Sequence, residues 1–234
     1  MEIKTFSTGS KEGNCFWVND GHTQLLLDCG ISIKKIQKAL DFRLREIQGC
    51  LVSHRHLDHC KGLRGLLDKE VDVYMPEVER AAMEVSHYRL KGLQPLEQFE
   101  IGTWTILPFP VEHDTEGPLG YLLQSATGDK LLFATDTYYI RYAFKGMTHM
   151  LIECNYSQEI LQENLDSGAI PYFRAKRTVE THFSLENLLV FLKACDLSKL
   201  QEIRLIHLSD ANSHAEQFKR AIQIATGVPT FIEG

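Results

Sequence analysis

A dense cluster of histidines directly after an apolar run constrains the fold of this chain more than any other feature. The stretch LVSHRHLDHCKG, residues 51–62, contains His54, His56, Asp58 and His59. A histidine ring is costly to bury unless its nitrogens have polar partners. The cluster therefore needs protons, water or a metal ion as its partner, and other polar residues of the chain indicate which of these applies.

The spacing within the cluster suits metal ions. His54 and His56 are two residues apart, and in an extended chain this spacing points both rings to the same side, where they can bind one ion. Asp58 and His59 follow at the predicted start of a helix and can serve a second ion. Two hydrolytic metal ions typically lie roughly 3.5–4 Å apart, so such a site needs further ligands from elsewhere in the fold.

Three residues at predicted strand ends can supply those ligands. They follow apolar runs in FPVEHD, LLFATD and IRLIHLSD, and they are His113, Asp136 and His207. Each of them alone can equally be a capping or hydrogen-bonded side chain. Together with the cluster they give five histidines and two aspartates, enough for two ions with an open position for water. An imidazole-rich set favours Zn²⁺, and Mn²⁺ is also compatible with it.

The pattern of elements predicts one α+β domain that spans residues 1–234. The 234 residues are 44% hydrophobic and 24% charged, an ordinary globular composition. Short strands dominate each half, with helices between them, which fits two sheets packed on each other with helices outside. The sequence also predicts a helix that begins at the cluster, over residues 59–69, and another over residues 77–90.

Cysteine usage and charge narrow the function classes. The six cysteines are scattered without a CxxC pair, so we expect mostly buried free thiols in a reducing compartment. MEIKTFSTGS has no apolar signal core, and no apolar run approaches membrane length. We therefore expect a cytoplasmic protein with no membrane partner. The net charge of −6 disfavours nucleic-acid binding by bulk charge but allows a local basic groove.

The cluster also carries a family resemblance. SHRHLDH, residues 53–59, resembles the HxHxDH signature of the metallo-β-lactamase fold superfamily, and the three strand-end ligands follow in the superfamily's order. The resemblance implies a four-layer αββα sandwich. It also implies that Asp28, in LLLDCG, supports the metal-site loop from behind the ligands. The alternative is that Asp28 only forms a turn at the end of a strand.

Shorter segments resemble the WalJ-like (YycJ-type) nuclease branch. They are STGSKEGNC, VEHDTEGPLGY, LIECNY, THFSLEN and IHLSDAN. Cys154, Thr181 and Phe183 depart from the branch pattern, in which a serine, a glycine and a leucine stand there, and none of these changes removes a metal ligand. Lactamases of the superfamily generally carry a cysteine where Asp136 stands, which argues against lactam hydrolysis.

His182, in ETHFSLEN, separates the remaining activities. Thioesterases of the glyoxalase II type lack such a histidine, whereas nucleases of the superfamily use one to contact the scissile phosphate or protonate the leaving oxygen. The alternative is a surface residue at a helix start. Glu153 is expected to hydrogen-bond His182 and fix its tautomer, unless it is a surface glutamate. A basic run before His182 either binds phosphate or forms a solvated face, and its members are Arg174, Lys176 and Arg177.

The sequence therefore predicts a dinuclear metal-dependent phosphodiesterase that acts on DNA, with exonuclease activity favoured. Asp58 and His182 are the expected catalytic residues, the first also as a ligand and the second as general acid, and a hydroxide that bridges the two metals is the expected nucleophile. The alternative is a small-molecule hydrolase for a thioester or a cyclic phosphodiester. A binding or regulatory module loaded with metal is a third possibility, which the complete ligand set and His182 disfavour.

Overall fold

The computed structural model describes residues 1–233, which divide into two compact units. The first unit consists of Met1–Pro110 and Thr115–Asp129, and the second of Val111–Asp114 and Lys130–Glu233. The single domain over residues 1–234 therefore stays a prediction. No helix among residues 1–233 is both long enough and apolar enough to cross a membrane.

A six-stranded sheet forms the centre of the first unit. Its strands, in their order across the sheet, are β1 (Glu2–Ser7), β2 (Cys15–Asn19), β3 (Gln24–Leu27), β4 (Ile47–Leu51), β5 (Val73–Pro76) and β6 (Leu90–Leu93). The first three strands are antiparallel, and β3 to β6 run parallel. Asp20 and Gly21, a pair that favours hairpin turns, lie between β2 and β3, and Gly21 adopts a positive φ of 95°.

Short helices and three further strands complete the first unit. The helices are α1 (Ile33–Ala39), α2 (Leu57–Cys60), α3 (Leu63–Leu67) and α4 (Glu77–Ala81), with a 3₁₀ turn at Leu44–Glu46. The further strands are β7 (Phe99–Ile101), β8 (Trp104–Pro110) and β9 (Leu119–Ser125). These three strands pair in antiparallel order, β7 with β8 and β8 with β9.

Two helix predictions in this unit were wrong in length. The predicted helix 59–69 is interrupted, because the Gly62 amide donates to Cys29 O at 2.7 Å and so makes no bond within a helix. The predicted helix 77–90 ends at Ala81, since the chain turns and Leu90 pairs with Val73 as the first residue of β6. In both places tertiary contacts outweigh local helix preference.

Four parallel strands form the centre of the second unit. In order they are β10 (Lys130–Ala134), β11 (His149–Glu153), β12 (Glu202–Ile206) and β13 (Thr230–Ile232). All five residues of β11 are buried, as expected for a central parallel strand that is covered on both faces.

The helices of the second unit are α5 (Gln158–Asp166), α6 (Tyr172–Thr181), α7 (Leu185–Ala194) and α8 (Ala215–Thr226). Ser184 is the N-cap of α7, and its Oγ accepts a hydrogen bond from the Asn187 amide at 3.1 Å. Gly227 ends α8 in the left-handed conformation, with a φ of 70°. Helix α6 was not predicted, and it carries the basic run that precedes His182.

The cysteines are packing residues, as the sequence predicts. All six are free, and five of them are buried, whereas Cys195 is half-buried. Burial raises the pKa of Cys15, Cys50 and Cys154 well above the ordinary thiol value. Since the thiolate is the reactive form of cysteine, these three thiols are kept in their inert form.

Candidate metal centre

In the first unit, the structure places two histidine rings of the cluster face to edge. Strand β4 ends at Leu51, and the chain then passes His54 and a bend at Arg55 before it reaches His56. His54 Nε2 lies 3.0 Å from His56 Nδ1, and the ring centroids are 4.7 Å apart. Two imidazole nitrogens that converge in this way form a pair of donors suited to a single cation.

Helix α2 begins directly after this pair and carries Asp58 and His59. His56 is its N-cap, and Asp58 lies in its only turn. His59 Nε2 lies 3.5 Å from Asp58 Oδ2 and 3.0 Å from Asn14 Nδ2. The one-turn helix therefore holds a carboxylate and an imidazole side by side, with the buried amide of Asn14 against the same ring nitrogen.

Asp28 supports the cluster from behind. It is fully buried, and its Oδ1 accepts the Ser53 amide at 2.7 Å. Its Oδ2 lies 2.7 Å from His59 Nδ1 and accepts the Ser53 hydroxyl at 3.1 Å. Because a carboxylate at neutral pH only accepts, His59 Nδ1 carries the hydrogen, and Nε2 is left as the nitrogen that can bind an ion.

In the second unit, Asp136 lies between two histidines. Asp136 Oδ2 is 3.6 Å from His113 Nε2, and Asp136 Oδ1 is 3.1 Å from His207 Nδ1. All three side chains are nearly inaccessible to solvent. Each oxygen of the Asp136 carboxylate thus lies near a different histidine.

His113 and His207 are each oriented by an oxygen. His113 Nδ1 lies 2.9 Å from Thr181 O, and His207 Nδ1 lies 2.8 Å from Glu153 Oε1. Both oxygens are acceptors, so each histidine donates through Nδ1. A histidine that binds a metal ion through one ring nitrogen usually donates a hydrogen bond from the other, to a carboxylate or a backbone carbonyl. His59 follows the same rule. The donor chemistry of both units therefore fits divalent metal ions.

Backbone strain marks three residues that follow parallel or antiparallel strands in these units. Asp28, Asp136 and His207 have positive φ values of 55°, 45° and 56°. Non-glycine residues in this region typically cost about 1–3 kcal/mol each and concentrate at functional sites.

Glu153 connects four groups through one buried carboxylate. Its Oε1 accepts from His182 Nδ1 at 2.7 Å and from His207 Nδ1 at 2.8 Å. Its Oε2 accepts the amides of Thr137 at 3.0 Å and Phe183 at 3.1 Å. Burial opposes ionisation of Glu153, but the neighbouring His182 and these hydrogen bonds hold its pKa below the usual value, so the carboxylate stays charged.

His182 lies at the C-terminal end of helix α6 and is one of the groups that hydrogen-bond to Glu153. It is the C-cap of α6, and its side chain is 19% exposed. Burial alone would lower the pKa of His182, yet the adjacent charge of Glu153 and their hydrogen bond raise it to about 9. Candidate donor atoms of His182, Glu153, Asp136 and His207 all lie within 4.8 Å of one another.

The predicted phosphate-binding residues lie on α6. The side chains exposed on this helix include Arg174, Lys176 and Arg177. The sequence pattern predicted no helix or strand for these residues. Arg177 Nη2 is paired with Asp114 Oδ2 at 3.0 Å, and Lys176 Nζ lies 3.7 Å from Glu180. Arg177 is therefore partly neutralised by the residue next to His113, and the role of the run in binding substrate stays a prediction.

Sequence reasoning assigned no role to Ser53, Asn14 or Asp114. Ser53 bridges Asp28 and His54, since its hydroxyl lies 3.1 Å from Asp28 Oδ2 and 3.0 Å from His54 Nδ1. Asn14 contacts His59, and Asp114 contacts both His113 and Arg177. The only available signal was their position in the segments that carry the family resemblances, Ser53 in SHRHLDH, Asn14 in STGSKEGNC and Asp114 in VEHDTEGPLGY.

Glu153→Ala is expected to lower the free energy of unfolding by about 3–5 kcal/mol, because it removes one member of a buried charged network. It leaves two backbone amides and two histidines without their acceptor. Glu153→Gln should cost less, since it keeps one acceptor oxygen. Urea unfolding followed by circular dichroism measures the effect, with the exposed Glu159→Ala on α5 as the matched control. Equal stabilities of Glu153→Ala and the control would contradict this description.

Comparison with known proteins places these residues in context. A sequence profile described as the beta-lactamase superfamily domain matches residues 23–207. Exodeoxyribonuclease YycJ of Bacillus anthracis is 28% identical over 95% of this chain and 88% of its own length. Exodeoxyribonuclease WalJ of Streptococcus pneumoniae is 30% identical over 92% of this chain and 84% of its own length.

Solved structures agree on the fold. The metallo-β-lactamase fold protein YhfI from Bacillus subtilis superposes with a TM-score of 0.75 at 12% identity, over 99% of this chain and 95% of that one. At 12% identity, this structural similarity supports a shared fold and nothing further. Together with the sequence profile, it confirms the predicted fold class, the αββα sandwich.

Proposed function

This chain is a metal-dependent hydrolase of the beta-lactamase superfamily, and we propose that it hydrolyses phosphodiester bonds and degrades DNA from an end. The observation that carries the proposal is the position of His182, which Glu153 holds at 2.7 Å in one group with Asp136 and His207. The names of the two exodeoxyribonuclease relatives, similar over most of their length, support the same substrate class.

We assign seven residues as ligands of two divalent cations. The first ion is assigned to His54, His56 and His113, the second to Asp58, His59 and His207, and Asp136 is assigned as the bridge. The matched profile spans all seven, and the donor orientations described above support the assignment. Zn²⁺ suits the five imidazoles, and Mn²⁺ is an acceptable substitute. When bound, two such ions supply an activated water molecule and neutralise charge on a phosphate.

The residues around the ions have their own tasks. Asp28 and Glu153 hold His59 and His207 in the tautomer whose Nε2 can bind an ion. The carboxylate of Asp58 is partly exposed in the turn of α2. It is assigned to the second ion and would also orient the attacking water through a hydrogen bond. Arg174 and Lys176 are exposed on α6 and attract the phosphates of the strand.

His182 is assigned as the general acid. The alkoxide that leaves a DNA phosphodiester is strongly basic and needs a proton as the bond to phosphorus breaks. Because His182 Nδ1 donates to Glu153, the proton available for the leaving oxygen is the one on Nε2. Thioester hydrolysis expels a weakly basic thiolate, so it has little use for such a group.

The proposed partner and compartment rest on the charge of the chain and on its cysteines. DNA is the proposed partner, and no membrane partner is proposed. The free thiols, five of them buried, favour the reducing cytoplasm, where disulfides are rare. A net charge of −6 means that attraction to DNA has to come from local basic residues such as those on α6.

The substrate class is tested with a panel that includes linear and covalently closed circular DNA. Metal-replete protein is expected to shorten end-labelled linear strands progressively, to leave the circular strand intact, and to spare a thioester and a lactam. RNA and bis(p-nitrophenyl) phosphate complete the panel. Cleavage of circular DNA would contradict the end requirement alone. Efficient thioester hydrolysis with every phosphodiester intact would contradict the proposed function.

A further inference from the structure

An aromatic cavity lies beside the residues that follow Asp136 in the second unit. It has a volume of about 290 Å³ and lies between the segment 138–143 and helix α7. The side chains most relevant to its chemistry are Tyr138, Tyr139, Tyr142, Phe183, Asn187 and Phe191. The cavity therefore has flat apolar walls and one amide that can both donate and accept hydrogen bonds.

The mouth of this cavity exposes apolar side chains to solvent. Tyr139 is 53% exposed and Tyr138 is 37% exposed, and Val190 on α7 is 67% exposed. Single exposed apolar residues are normal on a protein surface, but several that border one concave site indicate a binding surface. Arg141 also lines the cavity, and its positive charge is paired with the carboxylate of Glu112.

Both walls of the cavity are tied to the catalytic residues through Glu153. The Thr137 amide, directly before Tyr138, and the Phe183 amide, directly after His182, both donate to Glu153 Oε2. The other oxygen of the same carboxylate accepts from His182. The cavity is thus held in a fixed relation to the proposed general acid.

Further hydrogen bonds stiffen the tyrosine segment. The Tyr138 amide donates to Glu112 O at 3.1 Å, and Thr137 Oγ1 donates to Tyr139 O at 2.8 Å. Asn187 Nδ2 donates to Tyr138 O at 3.4 Å and so links the segment to α7. A site built in this way is ordered before a ligand arrives, which lowers the entropic cost of binding.

We propose that this cavity is a nucleobase subsite, which holds a base of the strand next to the phosphodiester that is cleaved. The proposal rests on the proposed function, because the base that would enter the cavity belongs to the nucleic-acid strand that is cleaved. Bases of every kind stack on aromatic faces, so the subsite recognises a nucleotide without strong sequence preference. The Asn187 amide can hydrogen-bond the edge of the stacked base.

The test compares two small ligands that an exonuclease does not degrade further. Thymidine 5′-monophosphate carries a base where deoxyribose 5-phosphate carries a hydroxyl group, and calorimetry on the metal-replete protein gives the affinity of each. Stacking on an aromatic side chain typically corresponds to about a 5- to 150-fold change in affinity. We expect the nucleotide to bind tighter than the sugar phosphate by a factor in this range.

Variants locate the effect. Tyr139→Ala is expected to remove most of the difference between the two ligands, and Tyr139→Phe, which keeps the ring, should preserve it. Tyr172→Ala on α6 is the matched control, because Tyr172 is 71% exposed and does not line this cavity. Tyr138→Ala provides a second variant if Tyr139→Ala fails to fold by circular dichroism.

The outcomes separate the subsite from the activity. DNA cleavage in the panel without any base-dependent binding would overturn the subsite and leave the nuclease proposal intact. An undiminished base preference in both Tyr139→Ala and Tyr138→Ala would overturn it as well. Base-dependent binding that Tyr139→Ala removes, with no DNA cleavage in the panel, would support the subsite and contradict the nuclease activity.

Discussion

Asp136→Ala is expected to abolish tight metal binding and to lower DNA cleavage by more than about 10⁴-fold, beyond the usual cost of losing a general acid. Asp136 is the one residue assigned to both ions. Its two oxygens already face one histidine each, at 3.6 Å for His113 and 3.1 Å for His207. Removing this carboxylate takes away a ligand from each ion and leaves their mutual repulsion unscreened.

Elemental analysis after metal-replete purification measures the first effect, and initial rates on end-labelled DNA measure the second. Asp136→Asn is the companion variant, because asparagine tolerates the positive φ of 45° at this position and removes only the charge. Asp166→Ala, exposed on α5 in the same unit, is the matched control and should behave as the wild type. An Asp136→Asn protein with full metal content and full activity would exclude the bridging role.

His182→Ala is expected to leave the metal content unchanged and to slow DNA cleavage by about 10²–10⁴-fold. The loss should be much smaller for bis(p-nitrophenyl) phosphate, whose p-nitrophenolate leaving group needs little protonation. The contrast arises because His182 is assigned a proton-donating role and no ligand role. Glu153 holds its Nδ1 at 2.7 Å, and its side chain is only 19% exposed.

Rates on both substrates and metal analysis of the same preparation test this assignment together. His22→Ala, an exposed histidine in the β2–β3 turn, is the matched control and should change none of the three values. Equal losses on DNA and on the activated ester would indicate that His182 binds phosphate and does not act as the acid. Unchanged rates on both would reduce it to a helix-terminal residue.

The sequence predicted part of the convergence within each unit, because those positions depend on local rules. The spacing of His54 and His56 predicts that their rings converge, and the structure brings their nitrogens to 3.0 Å across a bend at Arg55. Asp136 and His207 follow buried strands, and parallel strands bring their carboxyl ends to one edge of a sheet.

Features that depend on distant contacts were missed. The helix predicted over residues 77–90 is shorter than expected because Leu90 belongs to β6 and pairs with Val73 of β5. No local sequence pattern predicts this pairing. Helix α6 begins after Pro171 without a side-chain cap, so it offered little start signal. The four hydrogen bonds to Glu153 join residues 137, 182, 183 and 207, and only a folded chain brings these together.

The most direct test of the account is to add metal stepwise to metal-free protein and follow cleavage of an end-labelled linear DNA strand. Zn²⁺ and Mn²⁺ are titrated separately, and a thioester is assayed at every step. We expect DNA cleavage to appear as the second equivalent binds, to reach a plateau near two ions per chain, and to disappear on chelation, with the thioester untouched throughout. DNA that stays intact at every metal ratio while the thioester is hydrolysed would contradict the account.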